Sequence, residues 1–216
     1  MNKSNILEEL GKKDDKSEEI AEKVIGDPDL LLEIFQGLSP ENKRIKNRSA
    51  KILRIVSEKN PEIVYPHISV FIDLIEGEDT ILKWIAIDVI GNLAPVDSEN
   101  QFNRIFKKFY TFLSDKSMIT AGHVIDNSGK IVRAKPELSK KITTELLKVE
   151  EIPRNDECKN ILLGKVILAF DLYFDQIEDK EKIHSFVQRQ QENTRNATRL
   201  KAEKFLKKHL KESTQL

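Results

Sequence analysis

A short recurring string limits what this chain can fold into more than any other feature. Leu53-Arg54-x-Val56-Ser57, Ile90-Gly91-x-Leu93-Ala94 and Ser128-Gly129-x-Ile131-Val132 follow one another at offsets of 37 and then 38 residues. A period of that length marks a supersecondary unit used repeatedly. A lone helical hairpin cannot bury its apolar side, so neighbouring copies have to stack. A later unit, "NILLGKVILAFDLYF", fits a spacing nearer 40, and "TRLKAEKFLKKHL" closes the chain with a basic outer face suited to a terminal cap.

Within each unit the pattern is helical. In residues 39–59, Ser39 stands as an N-cap and Pro40 at the first helical position, where its missing N–H costs nothing. Ile45, Ser49, Ile52, Leu53 and Val56 then fall at steps of four and three and form one buried stripe. Arg44, Arg48, Lys51 and Arg54 face away from it, and Asn60-Pro61 stops the helix because a residue before proline leaves the helical region. The same grammar predicts helices over about 29–38, 43–58, 63–76, 80–94, 99–113, 118–134, 137–149, 157–174, 180–191 and 194–210, with a capping helix at 17–25. Ser98 with Gln101 has a capping-box pattern, and Gly77, Pro95, Pro136 and Pro153 punctuate. Strand-like alternation is almost absent. The expected fold is all-α, a right-handed α-α superhelix of about five hairpins. Residues 1–26 read as a tail with the capping helix, 27–212 as a single repeat domain and 213–216 as a tail.

The second helix of the central unit, Lys83-x-x-Ala86-x-x-Val89-Ile90-Gly91-x-Leu93, resembles the HEAT-repeat family over about residues 27–210. It has that family's basic residue, small residue, aliphatic pair, glycine and leucine, and Asn60-Pro61 after the preceding unit is also familiar. Arg54 departs from the pattern, standing where a small residue is preferred. The resemblance implies an armadillo-like solenoid acting as a scaffold, and it names no substrate or cofactor.

Trp84, the only tryptophan, lies one turn ahead of Asp88. On a helical wheel, Asp88 and Gly91 lie about 40° and 20° to either side of Trp84, opposite the arc of Leu82, Ile85, Ala86, Val89, Ile90 and Leu93. Stepping back by 37 places Asn47, Lys51 and Arg54 on the same face, and stepping forward by 38 places Gly122, Asp126 and Gly129 there, with Lys130 and Arg133 adjacent. Two readings stay open: packing, with Asp88 paired to Lys51 or Lys130, or a concave groove with an aromatic and a carboxylate at its centre. Such a groove resembles that of the HEAT-like alkylpurine DNA glycosylases, which implies Trp84 as an aromatic wall and Asp88 as the carboxylate that stabilises the sugar cation. The chain departs from that pattern in lacking a second tryptophan and in having Gly122 and His123 where an arginine belongs. An enzymatic role therefore rests on Asp88 alone.

Lysines and arginines total 36 and so do aspartates and glutamates, but the signs are segregated. Residues 1–40, 60–100 and 150–181 are acidic blocks, and 41–59, 101–149 and 182–216 are basic ones. A neutral total removes the global field of a nucleic-acid binder without excluding local basic patches.

Other chemistry finds little support. Cys158 is alone, and His67, His123, His184 and His209 have no partner at metal-ligand spacing. No glycine-rich phosphate loop occurs. Asp171, Asp175, Glu178 and Asp179 read as a solvated helix end. In the last segment, Leu200, Phe205, Leu206 and Leu210 fall on one side, as a terminal repeat helix requires. No apolar run is long enough for a bilayer, and the acidic N-terminus is no export signal, so a cytoplasmic location without membrane partner, metal or cofactor is expected. The expected function is a non-enzymatic scaffold holding a protein partner on its concave surface. The alternative is a DNA-binding or glycosylase-like protein whose Arg44, Arg48, Lys51, Arg54, Lys130 and Arg133 meet phosphates.

Overall fold

The computed structural model describes residues 6–39 and 41–210, apart from the side chain of Leu210. Among the described residues every regular element is helical and none is a strand. The chain divides into two compact units, Met1–Ile105 and Phe106–Leu216.

The first unit holds α1 (Ile6–Gly11), α2 (Ser17–Gly26), α3 (Leu31–Gln36), α4 (Lys43–Lys59), α5 (Pro61–Val64), α6 (Ile68–Glu76) and α7 (Thr80–Leu93). α3 turns back on α4 and α6 on α7, while α2, α4 and α7 pack side by side in that order. α8 (Gln101–Thr111) runs through the division. The second unit continues with α9 (Met118–Ala134), α10 (Ser139–Leu147), α11 (Asp156–Tyr173), α12 (Lys180–Arg189) and α13 (Asn196–Leu210). There α10 pairs with α11 and α12 with α13, and α11 lies between α9 and α13. Each hairpin contributes apolar side chains to its unit's seam: Ile52, Leu53 and Val56 from α4, Ala86, Val89 and Ile90 from α7, Val124 and Ile125 from α9, Val166 and Phe170 from α11. All of these are buried, as the repeat argument requires.

Several boundaries differ from the sequence expectation. α4 starts at Lys43, and its cap is Asn42, whose Oδ1 accepts from the N–H groups of Arg44 and Ile45 at 3.0 and 3.2 Å. Ser39 is therefore not the cap, and Pro40 lies outside the described residues. At α8 the cap is Asp97, not Ser98. Its two carboxylate oxygens accept from Gln101 N–H at 2.8 Å and Phe102 N–H at 3.0 Å, and the Tyr65 hydroxyl donates to Oδ1 at 2.9 Å. A carboxylate satisfies two of the orphan donors at a helix start where a hydroxyl satisfies one. The expected helix over 63–76 starts earlier, at Pro61, and is interrupted by a 3-10 turn at Tyr65–His67, where Pro66 has no N–H to continue the α ladder. Similar proline-led 3-10 turns occupy Pro28–Leu30, Ala94–Val96 and Pro136–Leu138.

Candidate functional site

Trp84 and Asp88 both lie on α7 and are half-buried. On the adjacent α4, Asn47, Lys51 and Arg54 are half-buried too. Side-chain links between α4 and α7 with its cap include Lys46 to Asp79 and the Asn92 amide donating to Ser57 Oγ at 3.1 Å. They join residues 33 and 35 positions apart, fewer than the 37 that separates equivalent positions in the sequence repeat. Asp126, Lys130 and Arg133 belong to α9 of the second unit and are exposed.

The cations of α4 are occupied at the start of the molecule. Arg44 donates to the Gly11 carbonyl at 3.0 Å, and Arg48 donates to those of Leu10, Lys12 and Lys13 at 2.8, 2.6 and 3.0 Å, capping the C-terminus of α1. Lys51 donates to Asp15 at 3.1 Å, so its partner is a carboxylate ahead of α2. Ser17, through its hydroxyl and its N–H, together with Lys51 holds the Asp15 carboxyl far below the usual range. Arg54 lies 3.9 Å from Glu58 on its own helix.

The same principle extends along the chain. Lys59 meets Glu22, Lys165 meets Asp126, Arg189 meets Glu150, Arg195 meets Glu157 and Lys208 meets Asp171, at separations of 37, 39, 39, 38 and 37 residues. In each of these five pairs the cation takes a carboxylate 37 to 39 residues earlier, whereas in Lys46–Asp79 the order is reversed. Solvent screening keeps each such pair weak. A double-mutant cycle on Asp126 and Lys165, each changed to alanine, should give a coupling of about 0.2–1 kcal/mol that fades in molar salt. A much larger, salt-independent coupling would show that such pairs carry stability as well as register.

A second feature, on the α9–α11–α13 row, was not singled out in the sequence. Leu168 and Leu172 on α11 and Leu200 on α13 expose 46%, 49% and 55% of their surfaces, and Ile119 on α9 exposes 47%. The sequence expectation that Leu200 shares one buried side with Phe205 and Leu206 is therefore corrected: those two are buried, and the inward places of the preceding turn belong to Thr198 and Ala202. Thr198 Oγ1 donates to the Asn160 carbonyl at 2.7 Å, so this polar residue is accepted inside and the leucine faces out. The signal for α11 was present but masked. Leu162, Leu163, Val166, Ile167, Phe170 and Tyr173 already fill its buried arc, which makes Leu168 and Leu172 surplus in a helix with more apolar residues than that arc holds.

Asp171, one of the carboxylates read as a solvated helix end, accepts from Lys208 at 2.8 Å and lies 2.6 Å from His209 Nε2. Burial alone would raise its pKa, yet the hydrogen bonds from Lys208 and His209 outweigh that and hold it below the ordinary value. Asp179 caps α12, accepting from Lys182 N–H at 3.1 Å. Among the described residues no group of three His, Cys, Asp or Glu side chains is placed to hold a metal ion, and no helix is long and apolar enough to cross a membrane.

No protein-family model matches the sequence, and no curated protein matches it either. Among solved structures, the chain is similar to an engineered protein determined by crystallography, with a TM-score of 0.57 and 14% identity over 96% of each chain. At that identity the likeness concerns the fold alone.

Proposed function

We propose that the protein is a non-enzymatic scaffold of HEAT-like repeats, that within each unit the hairpins follow a right-handed superhelical path, and that the row of second helices holds a protein partner. One observation carries this reading: Leu168, Leu172 and Leu200 stand about half exposed on neighbouring helices of one unit. Contiguous exposed aliphatic surface on a folded protein marks an interaction site. Covering the exposed half of each leucine contributes roughly 1 kcal/mol, so the three together supply a core for an interface. The repeat architecture and the HEAT-like pattern around Lys83, Ala86 and Gly91 support the same reading.

The nucleic-acid alternative draws less support. Arg44, Arg48 and Lys51, the cations it needs ahead of Trp84, are held by the carbonyls of α1 and its following turn and by Asp15. Affinity capture with the intact chain from native extract tests the choice. Recovery of a stoichiometric protein partner is expected; tight, salt-sensitive binding of duplex DNA with no protein recovered would reverse the ranking.

A further inference from the structure

Between α11 and α13 lies a depression of about 230 Å³ lined by Ile167, Leu168, Asp171, Leu200, Lys201 and Lys204, with Phe205 beneath. Leu168 stands on its α11 wall, and Leu200 and Lys204, one turn apart, stand on its α13 wall. The helices approach closely because position 164 is glycine. A Cβ there would stand 2.9 Å from Thr198 Oγ1 and 3.3 Å from Lys201 Nζ, so Lys201 lies folded down over the α11 backbone. One repeat earlier Lys165 lies over Gly122 in the same manner, and Leu172 over Gly129.

The charges around the groove are unequal. Its neighbouring carboxylates already have cations: Asp126 has Lys165, Glu157 has Arg195, and Asp171 has Lys208 with His209. Lys201 and Lys204 make no ion pair among the described residues and are left over on the α13 rim. Desolvation, followed by the nearby charges of Lys165 and Arg195, lowers the pKa of Lys201, and the Asp126 carboxylate offsets part of that.

We infer that this groove binds an amphipathic helix of a partner protein whose leucine-like side chains enter between Leu168 and Leu200 and whose carboxylates meet Lys201 and Lys204. The inference rests on the scaffold reading and adds the partner's chemistry. A helix laid into a groove presents its apolar anchors along one face, which suits the pair Leu168 and Leu200 that line this one. Nucleic acid fits less well: the large apolar side chains exposed among the described residues are all leucine or isoleucine, which offer no stacking platform for a base. A carboxylate-bearing helix satisfies both the aliphatic lining and the surplus lysines.

The test is fluorescence anisotropy of the full chain with three labelled probes: a helical peptide with leucines on one face and glutamates beside them, the same peptide with lysine for glutamate, and a short DNA duplex. The acidic peptide is expected to bind, more weakly as salt rises. Leu168→Ser with Leu200→Ser, and separately Lys201→Glu with Lys204→Glu, should each weaken it by about tenfold or more, with unchanged circular dichroism showing that these exposed positions leave the fold intact. Absence of binding by the acidic peptide, equal or tighter binding of the basic peptide or the duplex, or undiminished binding by both double variants would overturn the inference. Running the native-extract capture with wild type and the lysine double variant separates the two levels. A partner retained equally by both sinks the groove assignment and leaves the scaffold, whereas no partner on the wild type removes the scaffold as well.

Discussion

Phe170→Ala is expected to lower the free energy of unfolding by about 3–5 kcal/mol, the range for deleting a fully enclosed aromatic ring. Phe170 has no exposed surface and sits on α11, the helix between α9 and α13. Its ring meets Tyr173 edge-on at 6.1 Å and Phe186 of α12 at 5.7 Å. Losing it removes the transfer term and both edge contacts, and leaves a void that rigid neighbours close only in part. Urea unfolding followed by circular dichroism should show a lower midpoint at an unchanged slope. Phe170→Leu, which keeps most of the volume, should lose far less. A loss below about 1 kcal/mol for the alanine variant would mean that α11 is not the centre of the second unit's core.

Gly37→Ala is the second large effect, and its cause is the opposite one. Gly37 ends α3 with ordinary helical torsions, so no backbone strain arises; the difficulty is space. A Cβ at this position would overlap Ser49 Oγ and stand 3.1 Å from Ser49 Cβ and 3.0 Å from Leu7 Cδ2. Ser49 is wholly buried in the α4 stripe and cannot retreat without moving the helix. Overpacking of this kind costs about 1–3 kcal/mol. Ser49→Ala should restore part of the loss, because its hydroxyl is the first atom struck. Alone it should be neutral or stabilise by about 1 kcal/mol, since Ser49 Oγ is buried without a hydrogen-bond partner. Additive effects of the two substitutions would contradict the proposed contact.

The helices were legible because stripe residues such as Ile52, Leu53 and Val56 carry a periodicity that only one element satisfies. What was not legible depended on competition among neighbouring polar groups. Ser39 and Asn42, or Ser98 and Asp97, differ little as sequence signals, and the choice falls to whichever side chain reaches two free N–H groups at once. The charge blocks were visible, but a block does not show whether its charges face solvent or the next repeat. Arg48, one of the cations the nucleic-acid alternative assigns to phosphates, instead donates to the carbonyl of Lys12, 36 residues away, at the end of α1. The spacing of Leu200 suits the buried side as well as that of Ala202 does, but it is the small Ala202 that is buried. Trp84 and Asp88 were legible as neighbours on one helix face, and their half-buried state suits a wall of packed helices as readily as the edge of a groove.

Methyl NMR asks most directly whether the binding surface lies on the exposed leucines of α11 and α13, with leucine and isoleucine methyl groups labelled and the acidic amphipathic peptide titrated into the intact protein. Shifts are expected to concentrate on Leu168, Leu172 and Leu200, with Leu32 and Ile81 of the first unit, also exposed, left in place. Shifts centred on Ile81 and Ile85, with the three leucines unmoved, would contradict that placement and return the site to α7.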